Sequence, residues 1–155
     1  MSRSQKLLAG LVLALLLAAC GPTVTVQNQT GFAVRAIVTT VSGGDVVSPS
    51  PGESSSVDAQ EGAYTITAIP DQDWINYAQT ARKLLNEQLA NSDNLSGPQL
   101  LKVVQQLKDI AAKMKQFQAT AGKGATCRGT INQDGSGGTA TVSVAADGSL
   151  VVSCG

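Results

Sequence analysis

Hydrophobic periodicity changes twice along this chain, and the double change narrows the available folds more than any other feature. From residue 23 to 70 apolar residues recur at every second position, from 71 to 119 at every third or fourth, and from 124 to 154 at every second again. A period of two marks half-buried strands and a period near 3.6 marks amphipathic helix. The expected fold class is therefore α+β, mainly β with an inserted α-helical hairpin. It is β-sandwich-like, with about seven antiparallel strands.

In the first strand block, Thr23 to Gln27 alternates polar and apolar, and Asn28 to Gly31 supplies turn chemistry. Phe32, Val34, Ala36 and Val38 then line one face of a second strand. Gly43-Gly44-Asp45 and Ser48 to Gly52 read as loops, with a short strand from Ser54 to Val57. After Glu61-Gly62, Tyr64, Ile66 and Ala68 face one way while Thr65 and Thr67 face the other. Pro51-Gly52-Glu53-Ser54, followed by Gly62-Ala63-Tyr64-Thr65-Ile66-Thr67, loosely resembles a pattern of extracellular β-sandwich modules, which bears on architecture and not on activity.

In the middle block, Trp74, Ala78, Ala81, Leu85 and Leu89 form one helical stripe. Leu100, Val104, Leu107, Ala111 and Met114 form another, flanked by Val103, Ile110 and Phe117. Asp71 or Asp73 can cap the first helix, and Ser96 with Pro98 suits the start of the second. The turn-rich stretch Asn91–Gly97 is short enough to make the pair an antiparallel hairpin. The second helix is apolar over a wide arc, so it is expected to touch both its partner and another surface. In the last block a three-residue loop, Ala146-Asp147-Gly148, would set Val144 opposite Leu150 and Val142 opposite Val152. A two-residue loop would oppose Val142 to Ser153, so the longer loop is expected, with Gly148 in the left-handed position.

Ahead of these blocks stand Arg3 and Lys6, the 13-residue apolar run Leu7–Ala19, and Cys20. As a helix such a run spans about 20 Å, short of the ~30 Å hydrocarbon core, and the layout is that of a secretory signal peptide. Leu17-Ala18-Ala19-Cys20 resembles the lipobox of bacterial lipoproteins. The resemblance covers residues 1–20. It implies that residues 1–19 are removed and that Cys20 carries diacylglycerol, an anchor of more than one chain that holds stably in a bilayer. Gly21 at the following position, rather than Asp, leans toward the outer membrane in a diderm host. Residues 20–22 are then the lipidated Cys and its tether, reaching about 10 Å when extended. The domain of residues 23–155 is expected close to the headgroups.

With Cys20 assigned to lipid, Cys127 and Cys154 remain, and in an exported chain they are expected to pair. A disulfide needs Cα atoms about 4.4–6.8 Å apart, whereas the outer strands of a three-strand meander lie about 9.6 Å apart. The Cys127 strand should therefore adjoin the last strand or meet it across the sandwich. The helical hairpin then becomes an insertion between two halves of one β-domain.

The chain has 11 Lys+Arg against 11 Asp+Glu; removing residues 1–19 takes Arg3 and Lys6 away, leaving 9 against 11, a net of −2. That balance offers no footprint for nucleic acid. The chain has no His, which excludes Ser-His-Asp and Cys-His catalysis and His-ligated zinc. Asp71-Gln72-Asp73 reads as a helix cap before it reads as paired carboxylates. Asn132 to Gly138 lacks the terminal Glu of a calcium loop and reads as a glycine-rich hairpin connection. No cofactor or metal ligand set emerges. Lys102, Lys108, Lys113, Lys115 and Lys123, locally opposed by Asp109, bias the second helix positive. They read as a solvated face, with Lys113 and Lys115 complementing the helix C-terminus, ahead of a headgroup contact. Trp74 reads as packed beneath its helix. Asn28-Gln29-Thr30 and Asn94-Leu95-Ser96 read as chance matches to a glycosylation pattern.

The function expected is that of a lipid-anchored cell-envelope protein. It would be non-enzymatic, acting as an accessory or interaction subunit toward an unidentified envelope protein, with the membrane contacted through Cys20. The alternative is a small-ligand-binding lipoprotein using a cleft between the helical hairpin and the sheet.

Overall fold

The computed structural model describes residues 21–120, 123–132 and 136–155. Cys20 and the leader lie outside the described residues, as do positions 133–135 of the glycine-rich connection. Eight strands form two four-stranded sheets: β1 (Thr23–Asn28), β2 (Val34–Thr40), β3 (Gly43–Val47), β4 (Ser54–Asp58), β5 (Gly62–Pro70), β6 (Ala125–Ile131), β7 (Gly138–Val144) and β8 (Leu150–Cys154). One sheet has the order β4-β1-β7-β8 and the other β3-β2-β5-β6. Two helices, α1 (Gln72–Ala90) and α2 (Gly97–Thr120), are inserted between β5 and β6, with a 3-10 turn at Ser92–Asn94 joining them. The insertion leaves and returns at neighbouring strands, because Ala68 of β5 pairs with Ala125 of β6.

The alternation that predicts strands also builds the core. Val24 and Val26 of β1, Val34, Ala36 and Val38 of β2, and Tyr64, Ile66 and Ala68 of β5 are buried. Ala140, Val142, Leu150 and Val152 bring the opposite sheet into the same apolar cluster. Intervening residues such as Arg35, Ile37 and Ser56 point outward and are exposed. Val144 pairs with Leu150 and Val142 with Val152, which is the register of the three-residue loop. Gly148 has φ +83°, a left-handed conformation that favours glycine.

Two expectations need correction. The strands number eight and not seven, because Gly43-Gly44-Asp45, read as a loop, opens β3 (Gly43–Val47) at the edge of its sheet. Both of its faces are open, so it has no apolar alternation to read, and Gly43 (φ +146°) lets the chain double back from β2 with Thr40 opposite Gly43. The strands are also not all antiparallel: β1 and β7 run parallel, with Val26 opposite Ala140. They are far apart in sequence, so no tight turn forces them to run in opposite directions.

The pairing registers define two poles. Thr23, the β4–β5 connection and the start of β7 lie at one, since Thr23 pairs with Asp58 and Val24 with Gly138. Gly155 lies there too, bonded to Thr139. Asn28, the loop after it, the end of β5 and the Ala145–Ser149 turn lie at the other, about 17 Å away along β1 at ~3.4 Å per residue. The helical hairpin springs from this second pole.

Candidate functional site

The second pole is organised around Asn28. It continues the inward-facing series Val24, Val26, Asn28 on β1 and is fully buried. Its Nδ2 donates to the carbonyls of Phe32 (2.8 Å) and Pro49 (2.9 Å), while Oδ1 accepts from the Thr30 N–H (2.9 Å). The Thr30 hydroxyl lies 2.8 Å from Asn28 Oδ1 and 2.6 Å from the Phe32 carbonyl, so its single proton serves one of them at a time. These bonds fold the 28–33 loop inward and press Phe32 into the core. Asn28 is sealed from solvent, so it is no glycosylation acceptor.

Phe32 is the platform on which the hairpin stands. Its ring lies 5.8 Å from Trp74 of α1 and 5.4 Å from Phe117 of α2, and those two rings are 5.5 Å apart. Aromatic pairs at such distances contribute about 0.5–1.5 kcal/mol each beyond their area burial. The Asp71 N–H donates to the Ala33 carbonyl at 2.9 Å, tying the entry of α1 to the same loop. Asp71 is the N-cap of α1: its carboxylate accepts from the Asp73 N–H at 3.1 Å. It also sits 3.8 Å from Arg35. Capping is thus its observed role. At the far end, Gln99 Oε1 accepts from the Ser96 N–H and hydroxyl at 2.9 and 2.8 Å, closing the turn into α2 in the manner of a capping box.

Beyond its base the hairpin has little cover. The helices pack on each other, and their contribution to the core comes from Trp74, Ile75 and Ala78 of α1 and Ile110, Met114 and Phe117 of α2. Leu85 and Leu89, the continuation of the expected stripe, are only half-buried. Tyr77, Leu84 and Leu101 are 71%, 56% and 72% exposed. Tyr77 and Leu84 are seven residues apart and share one face of α1. The second helix touches another surface only at its C-terminal end.

Lys113 and Lys115 do not complement the end of α2, because the helix runs on to Thr120 and its last turn holds no basic residue. The macrodipole acts mainly within the last turn, so these lysines are solvated side chains. Trp74 is packed beneath its helix against Phe117, as expected, yet only half-buried. Among the described residues no group of three His, Cys, Asp or Glu could hold a metal ion. Among the described residues Asp147 is the carboxylate with a distinct shift, held below its ordinary value by hydrogen bonds from the Ser149 hydroxyl and N–H. It serves the β7–β8 turn.

Cys127 on β6 and Cys154 on β8 form a disulfide with Cα atoms 5.6 Å apart. Of the two expected arrangements it is the one across the sheets, joining edge strands of opposite sheets. Near the first pole, Tyr64 places its hydroxyl 3.2 Å from the carbonyls of both Thr139 and Gly155, and burial raises its pKa above 10.0. Among the described residues no helix is long and apolar enough to cross a membrane.

A cleft of about 500 Å³ opens where the hairpin base meets the loops of the second pole, lined by Trp74, Tyr77, Ile110, Pro51 and Lys113 among others. The sequence suggested a cleft between hairpin and sheet without naming its lining, and it did not reveal the Asn28 hub. The hub had a signal, a polar residue at an inward-facing strand position followed two residues later by Thr30. The lining of the cleft comes from four segments distant in sequence and had none.

Comparison of the chain with protein-family models, with curated proteins and with solved structures finds no match.

Proposed function

We propose that this chain is a lipid-anchored cell-envelope protein, held through an acylated Cys20, that acts without catalysis by presenting its helical hairpin to a protein partner. In this reading the two sheets are the layers of a β-sandwich and serve as a spacer. The observation that carries it is polarity: Thr23, three residues beyond Cys20, lies at one pole, and the hairpin rises from the other. An anchor at Cys20 holds the first pole near the bilayer and turns the hairpin outward, with Tyr77, Leu84 and Leu101 uncovered. Asp45, Asp58 and Glu61 near the first pole make it acidic, which disfavours additional docking on anionic headgroups. Gly21 after the anchor leans toward the outer membrane of a diderm host.

Two experiments in cells test this. Cys20→Ala should leave the protein unacylated and free of membranes; full membrane retention without acylation would sink the anchor. A photo-crosslinking residue at Leu84 or Leu101 should give a discrete adduct that is missing when it is placed at Ser56 on the sheet. The same adducts from Ser56, or none from the hairpin, would refute the partner surface.

The small-ligand reading has one observation in its favour, the cleft at the hairpin base. Its volume falls within the roughly 300–1,000 Å³ of small-molecule sites.

A further inference from the structure

We infer that the cleft between the hairpin base and the loops at Gly31 and Pro51 binds a small organic monoanion with an apolar body, of the kind represented by a medium-chain carboxylate. The inference rests on the small-ligand reading above and supplies the ligand class.

The lining of the cleft is what suits an apolar body. The chain has one Trp, two Tyr and two Phe, and four of these five aromatics gather at the hairpin base. Phe32 and Phe117 are buried there, whereas Trp74 is half-buried and Tyr77 is 71% exposed, and it is these two that line the cleft with Pro51 and Ile110. Other hollows along the hairpin are walled by polar side chains such as Arg82, Lys83 and Gln88 and by aliphatic ones such as Leu89, Val104 and Leu107, with no aromatic among them. Of these hollows the basal cleft is the one that offers aromatic side chains to an apolar ligand.

The charge comes from Lys113. It is the one charged side chain of the lining, and it makes no ion pair with any described residue. The fold places its stem: a Cβ at Gly31 would come within 3.1 Å of Lys113 Cγ, so the stem lies over that glycine while the ammonium stays solvated. The Trp74 indole N–H has no hydrogen-bond partner among the described residues and is open to solvent. Lys113 and Trp74 thus bring a cationic side chain and an N–H donor to a largely apolar lining that includes no carboxylate. An aromatic cleft alone would also accept a cation over its ring faces. Lys113 reverses that preference, because a cationic ligand would meet a like charge and an anionic one a counter-charge.

The sole tryptophan lines the cleft and reports its occupancy by fluorescence. The purified full-length protein is titrated with decanoate, decan-1-ol and decyltrimethylammonium below their aggregation limits. The expected result is a saturable change in Trp74 emission with decanoate, at least tenfold tighter than with the neutral or cationic congener. Lys113→Gln should weaken decanoate tenfold and leave decan-1-ol unchanged, and Lys113→Arg should restore decanoate; the variants share any partitioning background. Equal affinity for all three probes, or decanoate binding unchanged in Lys113→Gln, would overturn the monoanion inference while leaving the cleft as a ligand site. No saturable change with any probe would overturn the cleft reading as well.

Discussion

The β body and the helical hairpin obey different rules. In the body nearly every inward position is apolar and buried, the buried polar residues Asn28 and Thr30 bond each other and backbone carbonyls, and a disulfide ties β6 to β8. In the hairpin, burial is concentrated at the base, and large apolar side chains stay open along its length. The difference separates two tasks. The body is built to hold its shape, and the hairpin keeps surface available that a purely structural element would have covered.

Substitutions can break or sharpen that contrast. The largest effect is expected in the body core: Ile66→Ala removes a fully buried side chain and should cost about 4 kcal/mol in denaturant unfolding. Replacing Cys127 and Cys154 together by Ser opens a loop with a sequence separation of 27 and should cost roughly 3.5 kcal/mol in the chain-entropy model. Reductant should lower the stability of the parent protein comparably and leave the double variant unaffected.

Asn28→Ala tests the joint between the two regions. It leaves the Thr30 N–H without its partner and takes one donor each from the Phe32 and Pro49 carbonyls, which keep the Thr30 hydroxyl and the Val34 N–H, at about 2–3 kcal/mol in all. Because Phe32 is the platform under Trp74, the variant should also shift tryptophan emission, which Ile66→Ala should not. Tyr64 tests the first pole through pH. Its folded pKa is raised above 10.0, so the neutral phenol is the form the fold favours. The stabilisation is complete below 10.0 and is lost as pH rises through the folded value. Thermal melts should show alkaline destabilisation that Tyr64→Phe reduces. Smallest of all, Leu84→Ser and Leu101→Ser should change stability by no more than about 0.5 kcal/mol, since both side chains are already exposed. A loss near that of Ile66→Ala would mean that the hairpin surface is structural.

What the sequence made legible follows the same division. Body strands with one buried face announce themselves by alternation, and the β7–β8 register followed from opposing Val142 to Val152. Strand β3 did not, because an edge strand open on both faces has no pattern to impose. The parallel β1–β7 pair was equally hidden, since pairing between distant segments leaves no local trace. In the hairpin, helical period located both helices, yet period alone cannot say whether an apolar stripe is covered. Leu85 and Leu89 fit the stripe and remain half-buried. The cleft at the hairpin base depends on Gly31, Pro51, Trp74 and Lys113 meeting in space, which no local pattern encodes.

The central claim is the orientation of the hairpin on an anchored protein. The most direct measurement is energy transfer from a dye on the acylated mature protein in vesicles to an acceptor in the lipid surface. The dye is placed in turn at Glu61, near the first pole, and at Asp93, in the turn between the helices. The account predicts strong transfer from Glu61 and weak transfer from Asp93. Equal transfer from the two positions, or stronger transfer from Asp93, would contradict it.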